Sequence, residues 1–178
     1  MQRLYKEMEK HKGREYTVVK YDPQWVTQFT EETKGVEKIF AEKALAIHHV
    51  GSTAVPGLSG KPTIDILVLT KDISQVDDLG QAMEKLGYMD LGEYVTEGGR
   101  LFAKERGNTR LYNVHVFEKD HPEVEKMLLI RDYLRSHLKE RKAYSKLKEE
   151  LYGKYPKDYA SYREIKDTYM EELEERIT

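Results

Sequence analysis

Cysteine is absent from the 178 residues of this chain, which excludes disulfides, thiolate zinc sites, iron–sulfur clusters and a cysteine nucleophile. Long apolar runs are missing as well, because a run such as Ile66-Leu67-Val68-Leu69 is far shorter than the roughly 18 residues of a membrane helix. No secretion signal is visible at the N-terminus. These absences predict a soluble, cytoplasmic protein without a membrane partner.

A large charge imbalance is also missing, since 30 basic residues face 32 acidic ones and the net charge is only −2. This balance excludes a disordered polyelectrolyte and a protein that coats duplex DNA with uniform positive charge. The chain is nevertheless 39% hydrophobic, which is enough to bury one core. We therefore expect a folded domain in which charged residues form local patches rather than one uniformly charged surface.

The order of apolar runs and turn residues predicts an α+β fold. Runs rich in β-branched and aromatic residues predict strands at 15–19, 44–50 and 63–70 and a hairpin from two strands at 100–105 and 109–118. Apolar residues at helical spacing predict helices after Asp22-Pro23 and after Asp72, and through 122–177 with breaks near His137 and at 153–156. Strands and helices in this order favour a mixed sheet with helices packed on it.

The same pattern divides the chain into three parts. Residues 1–12 form an N-terminal extension, residues 13–120 an α+β domain, and residues 121–178 a C-terminal helical subdomain that packs on the domain. We expect the ligand cleft between the last two parts.

The segment at residues 48–68 carries the clearest chemical signal. It places a small-residue turn, Gly51-Ser52-Thr53, and then Lys61 between two predicted strands. Glycine lets a ligand approach the backbone closely, and the two hydroxyls lie beside free amides, which is a combination suited to a phosphate. An ordinary β-turn would use the same residues.

Asp65 interrupts the second of these strands and alternates to the face opposite Ile64, Ile66 and Val68. A carboxylate in a buried strand is costly unless it is paired or bound to a cation. The residue is therefore a candidate metal ligand, with a structural carboxylate that caps a neighbouring helix as the alternative.

The residues at 48–68 match without a gap the signature of the GrpB family, roughly H-h-G-S-T-A-V-P-G-L-x-x-K-P-x-I-D-h-x-V. Asp22-Pro23-x-Trp25 is similar to the start of that family, and Arg131-Asp132-Tyr133-Leu134-Arg135 to its C-terminal pattern. The resemblance covers residues 15–177. It implies the nucleotidyltransferase superfamily and a DNA-polymerase-β-like fold, in which acids on adjoining strands hold divalent metals against a nucleoside triphosphate.

Two departures from that superfamily concern the metal ligands. The second acid of its D-x-D pattern falls on Leu67, and its third acid falls near Asn113 and His115. Two-metal phosphoryl transfer needs carboxylates that bridge both ions. We therefore expect at most a weaker or single-ion Mg²⁺ or Mn²⁺ site, formed by Asp65 and His115.

The motif and the resemblance together imply a set of site residues, to which Arg100 is added because its strand should pass the same cleft. The catalytic candidates are Asp65, His49 and His115, and the phosphate-binding candidates are Gly51, Ser52, Thr53, Lys61, Arg100, Arg131, Asp132 and Arg135. The alternative for each histidine is a hydrogen-bonded side chain in a polar cleft. The alternative for the basic residues between Arg131 and Lys148 is a solvated helix face.

The resemblance thus predicts a nucleotidyltransferase-like protein that binds a nucleotide or another phosphate-bearing small molecule and transfers a nucleotidyl group with a divalent metal. The alternative is a non-catalytic nucleotide- or coenzyme-binding module that has lost the two-metal site. Some members of the family carry the domain fused to dephospho-CoA kinase, which points to nucleotide or coenzyme metabolism. RNA binding is a third reading, disfavoured by the net charge of −2. Enzymatic activity and oligomeric state stay open.

Overall fold

A computed structural model describes residues 14–94 and 96–178 of the chain. Its centre is a five-stranded sheet in the order β1-β2-β5-β4-β3. The strands are β1 (Ala44–Val50), β2 (Ile64–Thr70), β3 (Met89–Asp90), β4 (Arg100–Arg106) and β5 (Thr109–Glu118). β2 and β5 run parallel, and every other neighbouring pair is antiparallel. The prediction of an α+β fold with a mixed sheet is confirmed. The extension predicted for residues 1–12 lies outside the described residues.

One face of the sheet carries the largest core. Ile64, Ile66 and Val68 of β2 are buried there, since alternate strand residues point to the same side. They pack against helix α1 (Gln24–Phe40), which presents the apolar stripe expected from its sequence, and against the short helix α2 (Gly80–Lys85). A 3₁₀ turn, Ile73–Leu79, precedes α2 and begins where the side chain of Asp72 accepts a hydrogen bond from the Ser74 amide.

The opposite face of the sheet is covered by the C-terminal helices α3 (Pro122–Ser136), α4 (Leu138–Lys154) and α5 (Tyr159–Ile177). Leu67 and Phe117 of the sheet pack on Val124 of α3. The chain breaks between these helices where the sequence predicts breaks, at His137 and after Lys154. None of the described helices is long and apolar enough to cross a membrane.

A strand predicted at residues 15–19 is wrong. The segment forms only an isolated antiparallel bridge, in which Val19 and Gly60 exchange two backbone hydrogen bonds of 2.9 Å. Its β-branched and aromatic residues serve a different purpose, because Tyr16 is buried among tyrosines of α4 and α5. Side-chain packing rather than a strand ladder holds this segment.

Candidate functional site

A cavity of about 580 Å³ lies between the sheet and the three C-terminal helices. Its floor is formed by Asp65 of β2 and by Asn113 and His115 of β5, and the turn after β1 contributes Gly51 and Ser52. α3, α4 and α5 supply the opposite wall. The volume lies within the range of about 300–1,000 Å³ that is typical of small-molecule sites.

Asp65 is the central acid of the cavity floor. Its Oδ1 accepts hydrogen bonds from Asn113 Nδ2 at 2.8 Å and from His115 Nε2 at 3.2 Å. Arg110 holds the amide of Asn113 in this orientation by donating to its Oδ1 at 2.7 Å. Burial opposes ionisation of Asp65, but these hydrogen bonds and the nearby charges of His115 and Lys61 together lower its pKa. The carboxylate is therefore ionised at neutral pH.

Gly51 brings the turn directly against this carboxylate. It has φ +73°, and a Cβ at this position would lie 2.5 Å from Asp65 Oδ2. Only glycine satisfies both the positive φ and the close approach. The turn continues as a 3₁₀ turn, Ser52–Ala54, which directs the hydroxyl of Ser52 into the cavity.

Lys148 of α4 is the most unusual side chain in the wall, because it is only 1% exposed. Its Nζ donates to Ser52 Oγ at 2.8 Å and lies 4.1 Å from the centre of the Tyr144 ring. Burial and the charges of Lys166 and Lys61 lower its pKa well below the usual value. The structure therefore places a buried amine beside the hydroxyl of the predicted phosphate-binding turn.

Lys61 reaches the same part of the cavity from the loop before β2. Its Nζ donates to the hydroxyl of Tyr159 at 2.5 Å. Burial alone would raise the pKa of Tyr159, but the charges of Lys61 and Arg14 and the hydrogen bond from Lys61 outweigh it and bring the pKa to about 8. A tyrosine of this kind indicates a strongly positive environment.

Five of the predicted site residues line the cavity together with Asp65: Gly51, Ser52, Lys61, His115 and Arg131. Arg131 also donates to the carbonyl of His49 at 3.2 Å and forms an ion pair with Asp132. Arg135 donates to the carbonyl of Ala54 at 2.9 Å. These arginines hold the backbone on both sides of the turn.

Five predicted site residues lie outside the cavity lining. His49 faces α1, where its ring stacks on Phe29 at 4.5 Å. Thr53 is buried and is hydrogen-bonded to His49 at 2.9 Å. Arg100 forms an ion pair with Asp77 of the 3₁₀ turn Ile73–Leu79. Asp132 and Arg135 also lie outside the lining. The roles predicted for these five residues are not supported by direct placement in the cavity.

Several cavity residues are not among the predicted site residues, chiefly Lys148, Tyr159 and Lys166. They come from α4 and α5, and Lys148, the earliest of them in the chain, lies 96 residues after Ser52. Lysines are common on exposed helix faces, so a single sequence does not distinguish one that points inward. One signal was present, since Lys148 follows four residues after Tyr144 and so shares a face with an apolar ring.

The cavity as a whole is positively charged although the chain is slightly acidic. Among the described residues, eight basic side chains line it against four acidic ones. Five of the basic residues have carboxylate partners, namely Arg110, Lys126, Arg131, Arg163 and Lys166. Within residues 14–94 and 96–178, Lys61 and Lys148 form no ion pair.

The described residues do not fit the metal centre expected from the superfamily. Residues 14–94 and 96–178 contain no group of three or more histidine, aspartate and glutamate side chains that could hold an ion. Leu67, at the position of the second acid, is fully buried in the core. Asp65 Oδ1 is already shared by Asn113 and His115. The Mg²⁺ or Mn²⁺ site at Asp65 and His115 stays a prediction.

Comparison with solved structures identifies the fold. The chain is similar to the poly(U) polymerase Cid1 in complex with the UTP analogue UMPNPP, with a TM-score of 0.51, 10% identity and coverage of 85% of this chain and 46% of Cid1. This likeness defines a nucleotidyltransferase-like fold. It is also similar to the conserved protein GrpB from Enterococcus faecalis, with a TM-score of 0.86, 34% identity and coverage of 90% of this chain and 96% of the other.

The chain belongs to the GrpB protein family, whose sequence profile matches residues 15–176. It is 36% identical to the UPF0157 protein YqkA of Bacillus subtilis (strain 168) over 91% of this chain, which spans about half of YqkA (47%). It is 34% identical to the UPF0157 protein BH1888 of Halalkalibacterium halodurans over 90% of this chain and 81% of that protein. A stretch of 78 residues is 32% identical to the dephospho-CoA kinase of Mycolicibacterium paratuberculosis, over 42% of this chain and 19% of that protein.

Proposed function

We propose that this protein binds a nucleotide or another phosphate-bearing small molecule in the cavity between the sheet and the C-terminal helices. The observation that carries the proposal is the contact between Lys148 and Ser52. A buried ammonium group without a carboxylate partner is costly, and a bound anion would supply the missing negative charge.

The turn supports the same ligand class. Ser52, whose oxygen accepts from Lys148, keeps its own hydroxyl proton to donate to a ligand. Lys61 and the other basic groups of the wall would add charge-assisted hydrogen bonds to phosphate oxygens. The negative charge of Asp65 beside Gly51 would repel an anion and limits how closely the ligand can approach this side of the turn.

The comparisons narrow the choice of compounds to test. Cid1 is described in complex with a UTP analogue, and a segment of the chain resembles dephospho-CoA kinase. Nucleoside triphosphates, dephospho-CoA and coenzyme A are therefore suitable first probes for this chain.

Thermal-shift and calorimetric titrations with these probes test the proposal. A ligand present at 100 times its Kd should stabilise the protein by about 2.7 kcal/mol. Ser52→Ala should weaken binding by about 1.5–3 kcal/mol, since it removes a hydrogen bond to a charged group. Ser136→Ala, which alters an exposed serine of α3, is the matched control and should bind like the native protein. The proposal fails if none of the phosphate compounds binds.

Nucleotidyl transfer is the second candidate function, because the ionised carboxylate of Asp65 faces the same cavity as Ser52. It is tested by incubating the protein with labelled nucleoside triphosphates and Mn²⁺ or Mg²⁺ and measuring the release of pyrophosphate. Asp65→Asn should abolish any such activity. Release at equal rates by the native protein and the variant would assign the activity to another source.

A further inference from the structure

The positive groups of the cavity differ in how their charge is balanced. Lys166 lies 2.6 Å from a carboxylate oxygen of Asp167, and Arg131 lies 2.7 Å from one of Asp132. Lys148 has a neutral hydroxyl and an aromatic ring instead, and Lys61 has the hydroxyl of Tyr159. Among residues 14–94 and 96–178, these two ammonium groups of the cavity thus have no ion-pair partner, and that of Lys148 contacts the turn at Ser52.

The residues around Lys148 keep its amino group out of contact with water. Its side chain is 1% exposed, and a Cβ on Gly60 would lie 3.3 Å from its Nζ, so the backbone of the loop before β2 closes over it. Ser52 accepts one of the three protons of Lys148 and keeps its own hydroxyl proton to donate. An anion that accepts from Ser52 would therefore balance the charge of Lys148 through this hydroxyl, without contact to Nζ.

On the cavity floor, directly beside the same turn, the donor set is poor in metal ligands. Asp65 is the one carboxylate that the described part of β2 presents there, and its Oδ1 is shared between Asn113 and His115. If a divalent ion were bound to the phosphates of a nucleotide, the cavity would offer that ion few protein ligands. The nucleotide would also bring less negative charge to Lys61 and Lys148.

We infer that the cavity binds its polyphosphate ligand as the metal-free anion. Lys61 and Lys148 neutralise the negative phosphate charge that divalent ions neutralise in two-metal enzymes. The inference rests on the proposed function, since it assumes that a phosphate compound occupies the cavity. It predicts an order of affinity: free ATP binds more tightly than its magnesium complex, because the free form carries two more negative charges.

Isothermal titration calorimetry with ATP and with inorganic tripolyphosphate tests the inference, each in excess EDTA and in excess Mg²⁺. We expect both anions to bind in EDTA and ATP to bind several-fold more weakly in Mg²⁺. Tripolyphosphate separates recognition of the phosphates from recognition of the nucleoside. Binding that requires Mg²⁺ would overturn the inference and leave the proposed function standing. Absence of binding by every phosphate compound, with or without metal, would overturn both.

Lys148→Met provides the variant, because methionine fills a similar volume without charge. We expect at least a tenfold loss of affinity in EDTA together with a melting temperature equal to or above that of the native protein, since an uncompensated buried charge is removed. Lys142→Met, at an exposed lysine of the same helix, is the matched control and should leave both quantities unchanged. A lower melting temperature with unaltered affinity for Lys148→Met would show a structural lysine and overturn the inference. Lys61→Met, in the loop before β2, tests the second amine independently.

Discussion

His49 and Asp65 show how strand alternation separates residues that lie close together in the sheet. Val50 pairs with Asp65, and His49 pairs with Ile66. Because paired residues share a face and successive residues alternate, the carboxylate faces the cavity while the imidazole faces α1. There His49 stacks on Phe29, and its burial lowers the pKa to about 4. This placement favours a neutral structural histidine over the catalytic role predicted for it.

The first prediction concerns the pH dependence of stability that His49 produces. Its pKa is about 4 in the folded protein and about 6.5 in an unfolded chain, so the unfolded state binds the additional proton between these values. The contribution of His49 to the free energy of unfolding should fall, by up to about 3 kcal/mol, as the pH is lowered through that window. Urea unfolding of the native protein and of His49→Gln at several pH values measures it. Equal slopes in both proteins would contradict the burial of a neutral ring.

The second prediction concerns Tyr159, which should ionise earlier than an ordinary tyrosine. Its pKa is about 8, against about 10 for the unfolded chain, so the folded state releases this proton first. The contribution of the group to stability therefore rises with pH from about 8 to about 10. Tyrosinate absorbance near 295 nm should increase around pH 8 in the native protein.

Tyr159→Phe is the control for this titration, because it keeps the ring and removes the hydroxyl. The difference between the two absorbance curves should show a single tyrosinate with a midpoint near pH 8. Binding of a polyanion at Lys61 should move the midpoint upward, since it reduces the positive charge that favours the phenolate. A difference curve centred near pH 10 would contradict the cationic environment described above.

At the scale of the element, α5 illustrates what helical spacing can predict. The spacing of Tyr162, Ile165, Tyr169 and Leu173 predicts one buried face. Tyr162 and Leu173 are almost fully buried, whereas Ile165 is 38% exposed. The difference arises because α5 contacts two separate clusters, one around Tyr16 and Leu151 and one around Val55 and Leu58. Ile165 belongs to neither of these clusters.

The third prediction compares two large-to-small changes on this helix. Leu173→Ala should lower the free energy of unfolding by about 2–5 kcal/mol, because the residue is fully buried and leaves a cavity. Ile165→Ala is the matched control and should cost much less, since the side chain is partly in water and alanine favours the helix. Chemical denaturation of both variants measures the difference. Equal losses would mean that α5 packs in another orientation.

At the scale of the whole molecule, the sheet and the C-terminal helices depend on one another. Leu67 and Phe117 are covered by Val124 of α3, and Val55 and Leu58 of the loop after β1 are covered by Leu134, Tyr144 and Leu173. The cavity lies within this same interface. Removing the helices would therefore expose apolar residues of the sheet and the loop and also remove half of the site.

The fourth prediction follows from this dependence. A chain that ends at Lys119 should be insoluble or molten, because the apolar face that carries Leu67 and Phe117 would be exposed to water. The measurement is a ¹H–¹⁵N NMR spectrum of the truncated chain beside that of the full chain. A well-dispersed spectrum from the truncated chain would show that the first part folds by itself.

The sequence by itself determined most of the helices and strands and the turn after β1. Strand alternation placed Asp65 opposite Ile64, Ile66 and Val68, and the hairpin and the helix breaks near His137 and after Lys154 lie where local residues predict them. These features depend on interactions between near neighbours, so a single chain displays them. The family signature at residues 48–68 likewise marked Gly51, Ser52 and Lys61, three residues that line the cavity.

Only the tertiary structure decided which residues distant in sequence complete the site and which predicted site residues lie outside it. Lys148 contacts the turn and Tyr159 contacts Lys61 although both are distant in the sequence, while His49 faces α1 and Arg100 pairs with Asp77. Which lysine of a helix points inward depends on how α4 and α5 rotate to bury their apolar residues. That rotation is set by packing against the sheet and between the helices, and the spacing of Lys148 four residues after Tyr144 does not specify it by itself.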